Sequence, residues 1–544
     1  MAEDKHFDVV ILGSGIAGLA AALAAHDHGL RAALVEKTAV LGGTSSDSYG
    51  LIWAGANHLL LAAGQQDARE DIVAYMTFLG GGELDEQRMR TLVDRSPEAL
   101  LFFEKCGIRF QLNRGVVDHY YGVAQGARGA GRTLEAQLIS GFELGAWRDR
   151  VRTPAHAPYC ITTDEQVSWG GINRVSFWNR DLIRQRQKGD MRGKGVGLVT
   201  HFIKQLLARN VPILLEEPGE RLLYDGKRVR GVELASGRHL TAAHGVVLAT
   251  GGYEWNAELM RDLDHLPGLQ PHSSPGSTGD GLIMGMEIGA ALRRTQNNLN
   301  LMLGFTLVLD APGAAPIGCM AGIIELCSPH TIVVNARGRR FGDESFFQSL
   351  VPALRMFDPM RHAYANLPCF LIFDQQYAEH YSLAYLPVGQ AMPRSVARAN
   401  TIADLAGTMG IDSAGLQRTI ERFNGFVARG IDEDFQRGAL RWRLAHRDNA
   451  PHANGSLGTL AKPPFYGLEL HPTLGTTSAG LLTDQHGQVM HQRRTPIAGL
   501  YDTGIVAARS ELGAGYQAGL NLASGLTFSY LAVRHMLQRP AAAV

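Results

Sequence analysis

The stretch from Phe7 to Glu36 constrains this chain more than any other. Phe7–Leu12 reads FDVVIL, a β-branched apolar run of strand length. Gly13-Ser14-Gly15-Ile16-Ala17-Gly18 follows as G-x-G-x-x-G, and an Ala/Leu-rich helical segment runs from Leu19 to His28. Arg31–Val35 is then a second strand, ending at Glu36. Gly13 permits a tight turn, Gly15 lets backbone approach a pyrophosphate, and Gly18 allows close helix–strand packing. The helix start offers unpaired N–H groups and a positive dipole end to phosphate, and Glu36 is placed to accept hydrogen bonds from ribose hydroxyls. A β-α-β unit of this kind opens a doubly wound parallel sheet that binds a dinucleotide.

Three later features select FAD over NAD. Gly42-Gly43-Thr44-Ser45 supplies further backbone donors just past the ribose acid. Ala249-Thr250-Gly251-Gly252 ends a later strand and resembles the second glycine motif of flavoproteins with two dinucleotide-binding domains. Gly499-Leu500-Tyr501-Asp502-Thr503-Gly504 resembles the segment that closes over the flavin in those proteins. The expected cofactor set is Gly13, Gly15, Ile16, Ala17, Gly18, Glu36, Lys37, Gly42, Gly43, Thr44, Ser45, Gly50, Gly219, Ala249, Thr250, Gly251, Asp280, Gly504, Gly515, Gln517 and Ala518.

Composition excludes several classes. Lys+Arg and Asp+Glu both number 52 in 544 residues, so there is no cationic excess for nucleic acid. The five cysteines, Cys106, Cys160, Cys319, Cys327 and Cys369, lack metal-ligand spacing. They read as reduced thiols of a cytoplasmic protein, with no metal site expected. Met1–His6 is polar and runs straight into a strand, so no secretory leader is expected. No run reaches eighteen uncharged apolar residues. The longest candidate, Leu299–Leu309, reads as core, with an apolar lid or peripheral membrane contact as the other reading.

Further along, Val196–Ala208 predicts a helix, and Ile213–Leu215, Leu222–Tyr224, Arg230–Leu234 and Gly245–Ala249 predict strands. Residues from about Gly285 to Ala461 change in texture, with an irregular Pro/Gly stretch at Asp310–Gly318. Strand and turn texture returns at Gly480–Thr483 and Gly499–Tyr501, before a helix from Gly519 to Met536. The expected fold class is α/β: a Rossmann-like, doubly wound FAD-binding domain from both chain ends (1–284 and 461–544). An α+β catalytic domain, 285–460, is expected as an insertion. No internal repeat is present.

The chain resembles the fumarate reductase and succinate dehydrogenase flavoprotein superfamily, and most of all its 3-ketosteroid dehydrogenase branch. The resemblance rests on FDVVILGSGIAGLAAALAA, VEKTAVLGGTSSDSYGLIW, VLATGGYEWN, SPGSTGDGLIMGMEIGAAL, VVNARGRRFGDES, LPCFLIFDQQY, ERFNGFVARGIDEDFQRG and LAKPPFYGLEL. It implies oxidation of a carbon–carbon bond next to a ketone, with loss of an α-proton and transfer of a β-hydride to flavin N5. That chemistry needs donors on the ketone oxygen, a base on one face and flavin on the other. It also implies a bulky hydrophobic ketone substrate and an external, quinone-like electron acceptor. The succinate dehydrogenase branch carries its flavin on a histidine after the ribose acid. Gly42–Gly50 holds none, so FAD is expected to bind non-covalently.

The substrate half departs from that branch. Its Y-P-G-A-G motif reads Glu511-Leu512-Gly513-Ala514-Gly515 here: the Gly515 N–H is carried over as a donor, and the tyrosine is lost. A glutamate there would repel the dicarboxylate that fumarate reductases grip at this place with arginine. Gly515-Tyr516-Gln517-Ala518-Gly519 resembles the G-Y-A-S-G motif of Δ4-(5α)-dehydrogenases, which makes Tyr516 the expected catalytic tyrosine; packing on the flavin is its bland alternative. Asp343-Glu344 is followed by Ser345, Phe346, Phe347 and Gln348 where the Δ1 branch has a tyrosine. Of a further D-Y-Y-P motif, Asp118-His119-Tyr120-Tyr121 keeps one tyrosine, Tyr120 or Tyr121. The base is left open between Glu511, which reads equally as a surface or salt-bridged acid, for instance with Arg509, and His471 as a lesser candidate. An ene-reductase running the chemistry backwards, a Δ4-(5α)-type dehydrogenase and a catalytically silent flavin-binding paralogue are the other readings.

Overall fold

The computed structural model describes residues 5–154, 158–296, 300–309, 317–320, 324–384, 386–440 and 454–541. Most of the Asp310–Gly318 stretch, the Cys319 side chain, Leu299 and Met1–Asp4 lie outside the described residues.

The first sheet is mostly parallel and runs in the order Gln488–Met490, Pro496–Asp502, His239–Leu248, Lys5–Leu12, Ala32–Val35, Ile213–Leu214. Leu12 is in register with Leu248 on one side and with Val35 on the other, and Leu248 with Asp502. The chain leaves the Lys5–Leu12 strand to one side first and returns on the other. The carboxyl ends of Lys5–Leu12 and His239–Leu248 therefore flank the switch point at which such sheets open a crevice. The expected strand at Gly245–Ala249 is the end of a longer one, His239–Leu248. Its first half, His239–Ala243, mixes His and Thr with buried Leu240, Ala242 and Ala243, so it lacks the continuous β-branched run that marks the second half.

Helix Ile16–Asp27 is buried at every position from Ile16 to Ala25. Its small residues let it pass between the sheet and the C-terminal helix Leu520–Leu537, which is itself mostly buried. A Cβ on Gly18 would stand 1.8 Å from the Gly13 carbonyl oxygen, so this crossing admits only glycine. Lys194–Ala208, two residues longer at its start than expected, closes the same face.

A second, largely antiparallel sheet joins Ile317–Met320, Leu301–Leu307, Phe465–Leu474, Cys369–Asp374 and Thr331–Asn335. The short strand Gln270–Pro271 also pairs with Phe465–Leu474 in it. The second sheet thus draws on residues either side of 285 and of 461. Helices Ile402–Met409 and Ser413–Arg429 cover its outer face through Phe423, Phe426, Leu416 and Leu405. Leu301–Leu307 is a buried strand, so that part of the apolar run is core. Among the described residues no helix is long and apolar enough to cross a membrane, and no cluster of ligating side chains could hold a metal ion.

Candidate active site

The two glycine turns meet at the switch point. Gly13 has φ +99°, and a Cβ there would lie 2.3 Å from the Ala249 carbonyl oxygen, so the first turn is wedged against the second. Gly15 faces open space, its nearest would-be contact being Ser45 Oγ at 3.5 Å. The helix that follows has no acid in its first turn, and Ser45 Oγ accepts the Ile16 N–H at 3.0 Å. An uncompensated positive helix end therefore points into the crevice.

Glu36 is buried, and its carboxylate accepts from the Ser14 N–H and hydroxyl at 3.0 and 2.5 Å. Its other oxygen accepts from the Thr38 N–H and hydroxyl at 2.9 and 3.0 Å. Ser14 Oγ in turn accepts the Gly42 N–H at 3.1 Å, which ties the second glycine pair to the first turn. Lys37 Nζ donates to Thr278 Oγ1 at 2.5 Å and to Asp280 Oδ2 at 2.7 Å.

One cavity of about 470 Å³ runs from Glu36 and Gly219 past both glycine turns to Gly504 and Tyr516. Every residue of the expected cofactor set lines it except Gly18, Gly42 and Gly515. Gly18 and Gly42 act from behind, through the packing and the Ser14 bond just described. The donor set fits FAD: an acid-free helix end, the open face of Gly15, and a buried Thr250 hydroxyl that lacks a hydrogen bond. A pyrophosphate and a ribityl chain are rich in acceptors for such donors.

At the far end the cavity is lined by Tyr516, His119, Met302, Ile324, Asn300 and Thr476. The Tyr516 ring lies edge-on to Phe347 at 5.8 Å and 5.2 Å from the His119 ring. Among the described residues its hydroxyl has no hydrogen-bond partner. Burial pushes that hydroxyl up to about 12, against the opposing pull of Arg509. Gln517 also lines the cavity, but its Oε1 is engaged: it accepts from the Tyr75 hydroxyl at 2.6 Å and from the His119 N–H at 2.8 Å.

The remaining catalytic candidates do not reach the cavity. Glu511 is buried against Arg88, whose Nη2 and Nε stand 2.9 and 3.1 Å from Oε2, while Ser524 Oγ donates to Oε1. It is a salt-bridged acid, as one reading had it, but with Arg88 rather than Arg509. The Gly515 N–H donates to the Leu512 carbonyl at 3.1 Å, and a Cβ there would lie 2.6 Å from Leu79 O, so this amide is turned into the protein. Tyr120 packs edge-on between Phe78 and Phe346 at 5.1 and 5.0 Å. Tyr121 lies against Gly129. His471 sits in the second sheet opposite Gly304.

Two cavity residues have no motif to announce them. His119 stood in the D-H-Y-Y stretch, overshadowed by its tyrosines. Glu254, in GGYEWN, lines the cavity with Oε2 unpartnered, and burial raises its carboxyl to about 7.

Comparison with known proteins places the chain in a class. The family model described as FAD binding domain matches residues 8–522. The chain is 34% identical over 540 residues to the 4-oxocyclohexanecarboxylate 2-dehydrogenase of Sinomonas cyclohexanicum, covering 97% of this chain and 92% of that protein. It is 30% identical over 573 residues to the 3-oxosteroid 1-dehydrogenase of Mycobacterium tuberculosis, covering 98% of each. Its structure matches the 3-ketosteroid delta1-dehydrogenase of Sterolibacterium denitrificans, solved in complex with 1,4-androstadiene-3,17-dione. That match has a TM-score of 0.87 and 28% identity, over 98% of this chain and 100% of the other. The chain belongs to the FAD binding domain family and is an FAD-dependent oxidoreductase.

Proposed function

We propose that this enzyme introduces a carbon–carbon double bond beside the ketone of a bulky cyclic substrate, a 3-ketosteroid or a substituted cyclohexanone. The observation that carries the reading is the Tyr516 hydroxyl, unpartnered among the described residues, in the same cavity as the dinucleotide cradle. Bound FAD supplies the hydride acceptor. Glu36 and the open turn at Gly15 hold its adenosine and pyrophosphate, and the cofactor is bound non-covalently. Tyr516 donates to the ketone oxygen and stabilises the enolate that forms when the α-proton leaves. Its raised affinity for its own proton keeps it a donor across the physiological range. Met302 and Ile324 bring apolar surface to the same end and exclude water from the developing charge. The relatives named above act on cyclic ketones of both sizes, which supports the class and leaves the size to experiment.

The deciding experiment is anaerobic photometry of the purified holoenzyme. A ketosteroid or 4-oxocyclohexanecarboxylate is expected to bleach the oxidised flavin, and the corresponding enone to leave reduced flavin unchanged. Rapid reoxidation by the enone, with no bleaching by any ketone, would reverse the assignment in favour of an ene-reductase.

A further inference from the structure

Tyr516 can steady an enolate, but its raised affinity for its proton makes it a poor acceptor for another. The groups expected from sequence to take the α-proton lie outside the cavity: Glu511 in its ion pair with Arg88, and His471 in the second sheet. Inside it, the titratable side chain next to Tyr516 is His119. The carbonyl oxygen and α-carbon of a ketone are separated by two bonds, so a donor to one and a base for the other must be neighbours. Tyr516 and His119 are neighbours, with ring centroids 5.2 Å apart.

His119 is held at its backbone N–H and at both ring nitrogens. Its backbone N–H donates to Gln517 Oε1 at 2.8 Å. Its Nε2 accepts the Ala518 N–H at 3.4 Å, a long contact that an approaching group can displace. Its Nδ1 lies 2.8 Å from the amide of Gln348. Because Nε2 is the acceptor, a neutral ring carries its proton on Nδ1, and Gln348 must then present its Oε1 to that N–H. With the Gln348 Nε2 turned to the ring, this same Oε1 is buried with no partner, and exchanging the amide's O and N engages it. A carbonyl on Nδ1–H fixes the tautomer whose Nε2 lone pair is basic.

We propose that His119 Nε2 is the acceptor of the substrate's α-proton and that Gln348 positions it. The inference rests on the dehydrogenase reading above. The α-C–H bond breaks heterolytically, its proton goes to Nε2 to give imidazolium, and its electron pair becomes the second bond of the alkene. The hydride leaving the β-carbon passes to bound FAD, the oxidant. Tyr516 is the donor and His119 the acceptor, one charge-forming centre each. Among the described residues, the titratable or charged groups near the ring include Tyr75, which shares Gln517 Oε1, Asp118, which pairs with Arg132 at 2.9 Å, and Arg509, whose charge acts on Tyr516.

The test follows exchange of the α-protons of a cyclic ketone into D₂O by NMR, beside flavin bleaching by that ketone and its pH profile. Wild-type holoenzyme is expected to bleach and to exchange. His119→Asn should keep its bound-flavin spectrum, lose about 10²–10⁴-fold in the rate of bleaching and exchange no faster than buffer. Gln348→Leu should keep the reaction but shift the acid limb of the rate profile, and that variant decides should His119→Asn not fold. Wild-type exchange and an unchanged acid limb in His119→Asn or Gln348→Leu would overturn His119 while leaving the dehydrogenase standing. Failure of wild type to bleach with any ketone would instead overturn the functional reading.

Discussion

Tyr516 and Gln517 are adjacent in sequence and both line the cavity, yet their polar atoms serve different ends. The phenol opens into the cavity, while the amide is spent on Tyr75 and His119. Replacing Tyr516 by Phe removes one enolate donor and no packing volume of note. We expect kcat to fall about 10²–10³-fold with flavin content unchanged, measured by steady-state turnover against the flavin absorbance. Glu254 gives a pH prediction. Burial raises its carboxyl to about 7, so the folded state holds a proton that the unfolded state releases near the ordinary glutamate value of 4.5. Its contribution to stability is complete below that value and is lost as pH rises through about 7. Glu254→Gln should therefore match wild type in melting temperature at pH 4.5 and exceed it at pH 8. The corresponding difference in unfolding free energy should be roughly 3 kcal/mol at most, at about 1.36 kcal/mol per pH unit between the two values.

Elements decide what the residue motifs could not. The loop before Leu520–Leu537 carries Glu511, Gly515 and Tyr516 within six positions, yet only Tyr516 faces the cavity. Spacing names the loop; its path decides which side chains face in, and that path depends on Arg88 from the distant helix Glu86–Lys105. Arg88 also donates to Thr483 Oγ1 at 2.7 Å and stacks 3.8 Å over Phe528, so it pins three segments at once. Glu511→Ala would leave that guanidinium buried without its carboxylate. We expect a loss of about 3–5 kcal/mol in denaturant unfolding, with turnover per bound flavin retained in the folded fraction. The flavin half was legible for the opposite reason. Gly13, Gly15, Gly18 and Glu36 are local to one β-α-β unit, so their order in sequence is their order in space. His119 was not legible, because its partners Gln348, Gln517 and Tyr516 are hundreds of residues away.

On the scale of the molecule, the cavity is where the two sheets and the C-terminal helix converge. Gly13 and Gly251 line it from the first sheet, Met302 from the second, and Gln517 and Ala518 from the helix approach. A ligand there binds the folded state alone. FAD at a hundred times its Kd should add about 2.7 kcal/mol of stability, read as a rise in melting temperature with FAD concentration. A melting temperature indifferent to FAD would contradict the cradle. The α/β class and the use of both chain ends in the first sheet could be anticipated from the glycine motifs at 13–18 and 499–504. That Phe465–Leu474 joins the second sheet could not, since its apolar pattern suits either sheet and only pairing with Leu301–Leu307 and Cys369–Asp374 chooses.

Pro496–Asp502 pairs with His239–Leu248, and the final helix packs on Ile16–Asp27. The ribosome delivers Gly13 long before it delivers these partners; at the usual elongation speed the delay is roughly 25–100 s. Throughout that time the nascent chain owns a dinucleotide turn but no completed wall for the flavin, and the Val246–Leu248 edge, once made, stands open to other strands. Cofactor capture thus waits until Pro496–Asp502 and Leu520–Leu537 have been made and packed. A premature stop anywhere before the last helix yields an aggregation hazard rather than a weakened enzyme.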